Sequence, residues 1–265
     1  MFLSTQNIDL IKKHESKFIS FKYVDLHGNL KQFDTSSHNN INNLIYIEDL
    51  ELNLRPILGK AFIDPFRAIT TTTIFCENIN VKQNFRKKLL EKLELSKTQN
   101  IKNDLSLEIS FWLRDKVSNN SDDDLLCCAD PIDKYANLRS DIIQTLDDIN
   151  LKTTLHYHGK TTAHSVIGIL GSNFIDLIDN YYVSKFIIQN IAENYGKIAQ
   201  FHYQKHDNLC LSMPNMGNFD ENLKQLSKFC YHLPSHKSIS QNKNKLLLAI
   251  KNNTNLYQAI NQLIT

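Results

Sequence analysis

Between Leu105 and Leu113 the chain alternates: Leu105, Leu107, Ile109, Phe111 and Leu113 fall on one side of an extended segment, and Ser106, Glu108, Ser110 and Trp112 on the other. Period two over nine residues predicts a half-buried strand. A second alternation, "KFISFKYV", puts Ile19, Phe21 and Tyr23 on one face, and "DLHGN" supplies a turn before "LKQF", which together predict a hairpin. "TTTTIFC" at Thr70 to Cys76 is β-branched and predicts another strand, reached through an ordered turn at Asp64-Pro65 in "FIDPFRA". From Asn84 to Leu95 the spacing changes to helical, with Phe85, Leu89 and Leu93 on one stripe.

The same reasoning covers the rest of the chain. "PIDKYANLRSDIIQTLDDIN" predicts a helix with Asp133 as N-cap and Tyr135, Leu138, Ile142, Leu146 and Ile149 inward. A strand follows at "LKTTLHYH". A helix then carries Ile178, Tyr182, Phe186, Ile187 and Ile191, with Gly196 as its C′ residue. "KIAQFHYQ" and "NLCLSM" predict two more strands, while "SNNSDDD" at Ser118 to Asp124 reads as a polar loop. The expected class is α+β. A small β-rich domain with a connecting helix, residues 1–100, precedes a sheet carrying helices, residues 101–265.

Composition narrows the function. The 265 residues carry a formal net charge of +2 and are 42% hydrophobic, enough for one sizeable core or two smaller ones. No basic stripe marks a nucleic-acid binder, and no apolar run approaches the roughly 18 residues that span a bilayer. The opening "MFLSTQNIDLIKKHESK" lacks a signal peptide's apolar run, so the cytoplasm is the expected compartment. The five cysteines, Cys76, Cys127, Cys128, Cys210 and Cys230, show no paired C-x-x-C spacing, and they read as reduced thiols. Cys127 and Cys128 would point to opposite sides of an extended chain, which argues against a paired role.

The order of these motifs resembles the glutamine synthetase family. "VDLHGNLKQ" is similar to the strand-turn-strand that opens the family's β-grasp domain, and "EDLELNLRP...AFIDPFRA" resembles its Ser-Asp-Met-x-Leu...Ile-Asp-Pro-Phe segment. "NFRKKLLEKLELSK" looks like the helix after it, and "SLEISFWLRD" lies where the family has Glu-Pro-Glu-Phe-Phe-Leu. "PIDKYANLRSDIIQTLDDINL" is similar to the Asp-x-x-x-x-x-Arg helix. "DLIDNYYVSKFIIQNIAENYGKIAQFHYQK" resembles the block that ends Gly-Lys-x-Ala-x-Phe-Met-Pro-Lys, with Gly196, Lys197 and Phe201 at matching positions. The resemblance runs over residues 17–214. It implies a β-grasp-like N-terminal domain followed by a truncated catalytic-type domain, an antiparallel sheet with helices on it.

The family joins ammonia to glutamate through a γ-glutamyl phosphate, using ATP and two divalent cations, Mg²⁺ or Mn²⁺, held by clustered carboxylates. Its Glu-x-Glu falls on Glu108 and Ser110. Counting onward lands its next two glutamates on Gly159 and Ile167, and its His-x-His on Leu209 and Leu211. The resemblance therefore leaves Glu108 as a residual metal ligand, assigns no catalytic residue and implies no tightly bound cofactor. "FDTSSHNNI" fits either the family's subunit-bridging loop, with Asp34 its aspartate, or a continuation of the hairpin strand. Residues 215–265 resemble either the helix after the His-x-His strand or the family's final helices, and neither reading supplies the arginines that contact ATP and glutamate.

His156, His158 and His164 crowd nine positions, and with His202 they are candidates for a zinc-like cluster or for inherited neighbours of the metal site. The resulting expectation is a glutamine synthetase-like protein without glutamate–ammonia ligase activity. The alternative is a residual or complemented ligase in nitrogen metabolism. Expected partners are further copies of the chain or an intact family member, with no nucleic acid and no membrane.

Overall fold

At the first predicted turn, Asp25 Oδ1 accepts from the backbone of His27 (2.9 Å) and Asn29 (2.8 Å), and Gly28 takes φ +79° to close it. This turn joins β1 (Phe18–Val24) to β2 (Leu30–Ser36) in an antiparallel hairpin. The protein is represented by a computed structural model describing residues 3–37, 45–47, 52–79, 84–95, 105–114, 126–203, 206–212, 245–251 and 255–263. The loop expected at Ser118 to Asp124 lies outside these residues. Two compact units divide between Lys88 and Leu89, within α2 (Phe85–Leu95).

In the first unit, α1 (Thr5–Lys13) precedes the hairpin, and β3 (Ile45–Ile47), β4 (Leu52–Ile63) and β5 (Thr71–Asn78) follow it. The sheet order is β2-β1-β5-β4-β3, with β1 parallel to β5 and the other neighbours antiparallel. That order is compatible with the β-grasp-like domain expected. Ile19, Phe21, Leu54, Ile74 and Cys76 form the apolar core, which Leu3, Ile8 and Ile11 cover. Asp34 lies within β2, opposite Ser20, and Arg67 donates to it at 2.9 Å. The hairpin reading of "FDTSSHNNI" therefore holds through Ser36.

The other face of β1 is polar and still buried. Lys22 donates to Gln32 Oε1 (2.6 Å) and Ser20 Oγ (3.3 Å) and lies 3.9 Å from Asp64, which also accepts from the Phe66 backbone and Thr73. Buried charges persist only when paired and hydrogen-bonded in this way.

The second unit is a sheet of antiparallel pairs with helices packed on it. Its elements are β6 (Leu105–Arg114), α3 (Ala136–Asp148), β7 (Thr153–His158), β8 (His164–Gly171), α4 (Phe174–Asn194), β9 (Ile198–Gln200), β10 (His202–Tyr203), β11 (His206–Ser212), β12 (Lys245–Lys251) and α5 (Leu256–Leu263). Strands run β10-β11-β6-β8-β7, with β12 on β11 and β9 on β6. The architecture is mixed α+β, as expected. Leu105, Leu107, Ile109, Phe111 and Leu113 are all buried. Asn173 caps α4 by accepting from Asp176 N, and Gly196 follows the helix at φ +68°. The tail contributes a strand as well as a helix: β12 pairs with β11 throughout, and α5 docks on α4 through Tyr257, which stacks on Tyr182 and donates to Asp179.

Two expectations need correction. Asp133 is not the N-cap of α3; Tyr135 holds that position without a side-chain bond, because the buried Arg139 on the helix's inner face takes the Asp133 carboxylate in an ion pair. "KIAQFHYQ" is not one strand, since β9 pairs with β6 and β10 with β11.

Burial is the largest influence on Lys22 and lowers its pKa to about 8 despite the Asp64 carboxylate. Its folded pKa lies below the unfolded value of 10.5, so from pH 8 to 10.5 the unfolded chain binds more protons and stability should rise with pH. Denaturant titrations of the wild type across that window should show this rise, and Lys22→Met should flatten it. An equal slope in both proteins would contradict the assignment.

Candidate functional site

The geometry around Glu108 follows from how β6 pairs. Leu105 lies opposite Gly171, Leu107 opposite Ile169, Ile109 opposite Ile167 and Phe111 opposite Ser165. Residues directly opposite in an antiparallel pair share a face. This set forms the buried face, where α3 and α4 pack. The intervening set, Ser106 with Leu170, Glu108 with Gly168, Ser110 with Val166 and Trp112 with His164, forms the other face. On the next strand out, Cys210 is opposite Glu108, whereas Leu209 and Leu211 are opposite Ile109 and Leu107.

Ile167 is therefore on the wrong side to stand where a ligand beside Glu108 and Ser110 would be. It is fully buried opposite Ile109, and a carboxylate there would point into the helix-covered core. The position facing Glu108 is Gly168. Leu209 and Leu211 likewise pair with the buried set. The register therefore places Ile167, Leu209 and Leu211 on the face opposite to that of Glu108 and Ser110.

The histidines also separate. His156 and His158 lie opposite Ile167 and Ser165 and so belong to the buried face. There Arg139 donates to Ser165 Oγ and His156 Nδ1, each at 3.4 Å, and His158 Nδ1 sits 2.7 Å from the Gly159 carbonyl. Burial first, then the Arg139 guanidinium, lowers the His156 pKa. His164 is on the opposite face, stacked on Trp112 with ring centroids 4.3 Å apart, and its Nδ1 accepts from Lys160 N at 3.1 Å. The three imidazoles do not converge. The residues described contain no group of three His, Cys, Asp or Glu side chains placed to hold a metal.

Gly159 has a packing role. A Cβ there would lie 2.0 Å from His164 Nδ1, so the ring occupies the space that a side chain would need. At Gly168 a Cβ would lie 2.1 Å from Thr154 Oγ1. Because residue 168 has no side chain, β8 presents a low surface, and Tyr157 reaches across it to donate to Glu108 Oε2 at 3.0 Å. Sequence reasoning missed Tyr157, Thr154 and the Asp133–Arg139–Ser165 network. Gly168, breaking the apolar run of "HSVIGILG", was the available signal.

A family model described as the glutamine synthetase catalytic domain matches residues 83–210. A glutamine synthetase of Helicobacter pylori is 23% identical over 268 residues, covering 76% of this chain and 55% of its own length. One from Methanocaldococcus jannaschii is 24% identical over 234 residues, covering 74% and 51%. The fold matches a GmaS/ADP complex with TM-score 0.77 at 11% identity, over 98% of this chain and 80% of that one. It also matches Plasmodium falciparum glutamine synthetase with TM-score 0.71 at 12% identity, over 100% and 74%. Together these similarities support membership in the glutamine synthetase family. It spans about half the length of the curated relatives it matches.

The residues described around Glu108 do not fit the family's pair of divalent cations. A hard cation needs about six oxygen ligands. Here one carboxylate, already accepting from Tyr157, faces Gly168 on one strand and Cys210 on the other. No helix among the residues described is long and apolar enough to cross a membrane.

His164 is held neutral. Burial, and secondarily the charge of His158, lowers its pKa from 6.5 to about 4. Its contribution to stability is present above pH 6.5 and is lost as the pH falls toward 4. His164→Phe keeps the ring against Trp112 and removes the titration. Denaturant midpoints should fall less between pH 6.5 and 4 in that variant than in the wild type, and parallel falls would refute the assignment.

Proposed function

We propose that this chain is a glutamine synthetase-family protein that retains the fold without glutamate–ammonia ligase activity. The strand register carries the reading. Directly opposite Glu108 on the adjoining strands are Gly168 and Cys210, Ser110 two residues on along β6 is opposite Val166, and the Glu108 carboxylate accepts from the Tyr157 hydroxyl. Phosphoryl transfer in this family relies on metals to neutralise developing charge, and loss of one preorganised electrostatic element costs about 3–4 kcal/mol. Apolar or small residues at former ligand positions remove the desolvation cost of unpaired carboxylates, so the fold can outlast the chemistry.

The proposal extends to organisation. A β-grasp-like domain and a catalytic-type domain keep the surfaces used for assembly, and the protein works in the cytoplasm as a homo-oligomer or alongside an intact family member. Light scattering on the purified chain should give a discrete oligomer. A monomer that does not associate with a co-expressed glutamine synthetase would refute the assembly role.

A second reading rests on the retention of Glu108 on the polar face: a residual or complemented ligase that binds Mg²⁺ or Mn²⁺ there. The two readings separate in one assay. Purified protein with glutamate, ammonia, ATP and either cation should form no glutamine above background. Metal-dependent glutamine formation that disappears in Glu108→Ala would overturn the proposal.

A further inference from the structure

Cys127 and Cys128 do not lie on an extended strand. Cys127 adopts φ +56°, in the left-handed region that residues other than glycine rarely enter, and it sits in a turn after Leu126. Adjacent side chains alternate only where the backbone is extended, and a left-handed residue interrupts that alternation. The backbone at Cys127 therefore removes the geometric objection to a paired role. The turn is also anchored, since Cys127 N donates to the His158 carbonyl at the end of β7 at 2.9 Å. Both thiols are free; Cys127 is exposed and Cys128 half-buried.

The number of donors selects the ligand. Structural zinc is held by about four ligands, and this turn offers two sulfurs. Soft ions with a low demand for ligands, such as an organic arsenic(III) centre, are satisfied by two thiolates and prefer sulfur to oxygen. We propose that Cys127 and Cys128 form a two-sulfur site for soft, thiophilic ions. Its reaction with phenylarsine oxide forms two arsenic–sulfur bonds and breaks the arsenic–oxygen bond. The two thiol protons leave with the oxide oxygen as water, and no electron transfer is involved. Burial first, and the Asp133 carboxylate second, push the Cys128 thiol up, so that sulfur arrives protonated and the oxide oxygen takes its proton.

The site does not depend on the proposed loss of ligase activity. The test is mass spectrometry of the whole native chain after treatment with phenylarsine oxide and then with excess 2-mercaptoethanol. A chelate across two protein sulfurs resists a monothiol and is released by a dithiol such as dithiothreitol. The wild type should retain one phenylarsenic group, and Cys127→Ser and Cys128→Ser should each retain none. Both positions lie outside helices and strands, and far-ultraviolet circular dichroism on each variant checks that its fold is intact. Two results would overturn the site: no monothiol-resistant adduct in the wild type, or an adduct that survives in either variant. The second would assign one of the two sulfurs to another cysteine, such as Cys210 or Cys230.

Discussion

The antiparallel pairing of β6 with β8 is the constraint on which the second unit depends. Eight consecutive pairs, from Leu105 with Gly171 to Trp112 with His164, fix which side chains meet the helices and which do not. A slip of β6 by one residue would turn its side chains to the other face, burying Glu108 and Ser110 and exposing Leu107, Ile109 and Phe111. Burial of five alternate apolar residues on β6 alone makes that slip prohibitive, at roughly 1.5–3 kcal/mol for each side chain exposed. The same pairing decides what surrounds Glu108.

On the polar face, side chains of the chain itself occupy the space around that carboxylate. Tyr157 crosses β8 above Gly168 to hydrogen-bond Glu108, Thr154 fills the space beside Gly168, and the His164 ring fills the space beside Gly159. Each arrangement needs the small residue beneath it. A larger residue at 159 or 168 would collide with its neighbour, so these glycines are now tied to packing, whatever ancestral residues they replaced. On the opposite face Arg139 is fully buried, yet its charge is met by Asp133 and its remaining donors by Ser165 and His156. Glu108 on one face and Arg139 on the other are thus both engaged within the fold.

Elements with a clean period were legible in the sequence. β6 alternates from Leu105 to Phe111, the hairpin announces itself through Asp25 and Gly28, and α4 ends where Gly196 permits a left-handed residue. Other features carried no periodic signal. In "HSVIGILG" five successive residues from Ser165 to Ile169 are buried, so alternation could not reveal that Gly168 and not Ile167 faces Glu108. That choice depends on residues 159–163, which join the strands, and on an irregularity in β7 between Thr153 and His156. The histidines looked like one cluster because sequence proximity hides the sheet between His156 and His164. β12 is an apolar run, "KLLLAIK", that length alone does not assign to a strand. Cys127 and Cys128 were judged as part of an extended chain, and a left-handed φ has no signature at a residue that is neither glycine nor asparagine.

The proposed loss of metal-dependent chemistry rests on Glu108 being a hydrogen-bonded carboxylate with non-carboxylate positions opposite it on both adjoining strands. Electron paramagnetic resonance of free Mn²⁺ titrated with the protein tests this directly, because bound Mn²⁺ loses its free-ion signal. The account predicts that stoichiometric protein leaves the signal of micromolar Mn²⁺ undiminished. Stoichiometric loss of signal in the wild type, restored by Glu108→Ala, would contradict it.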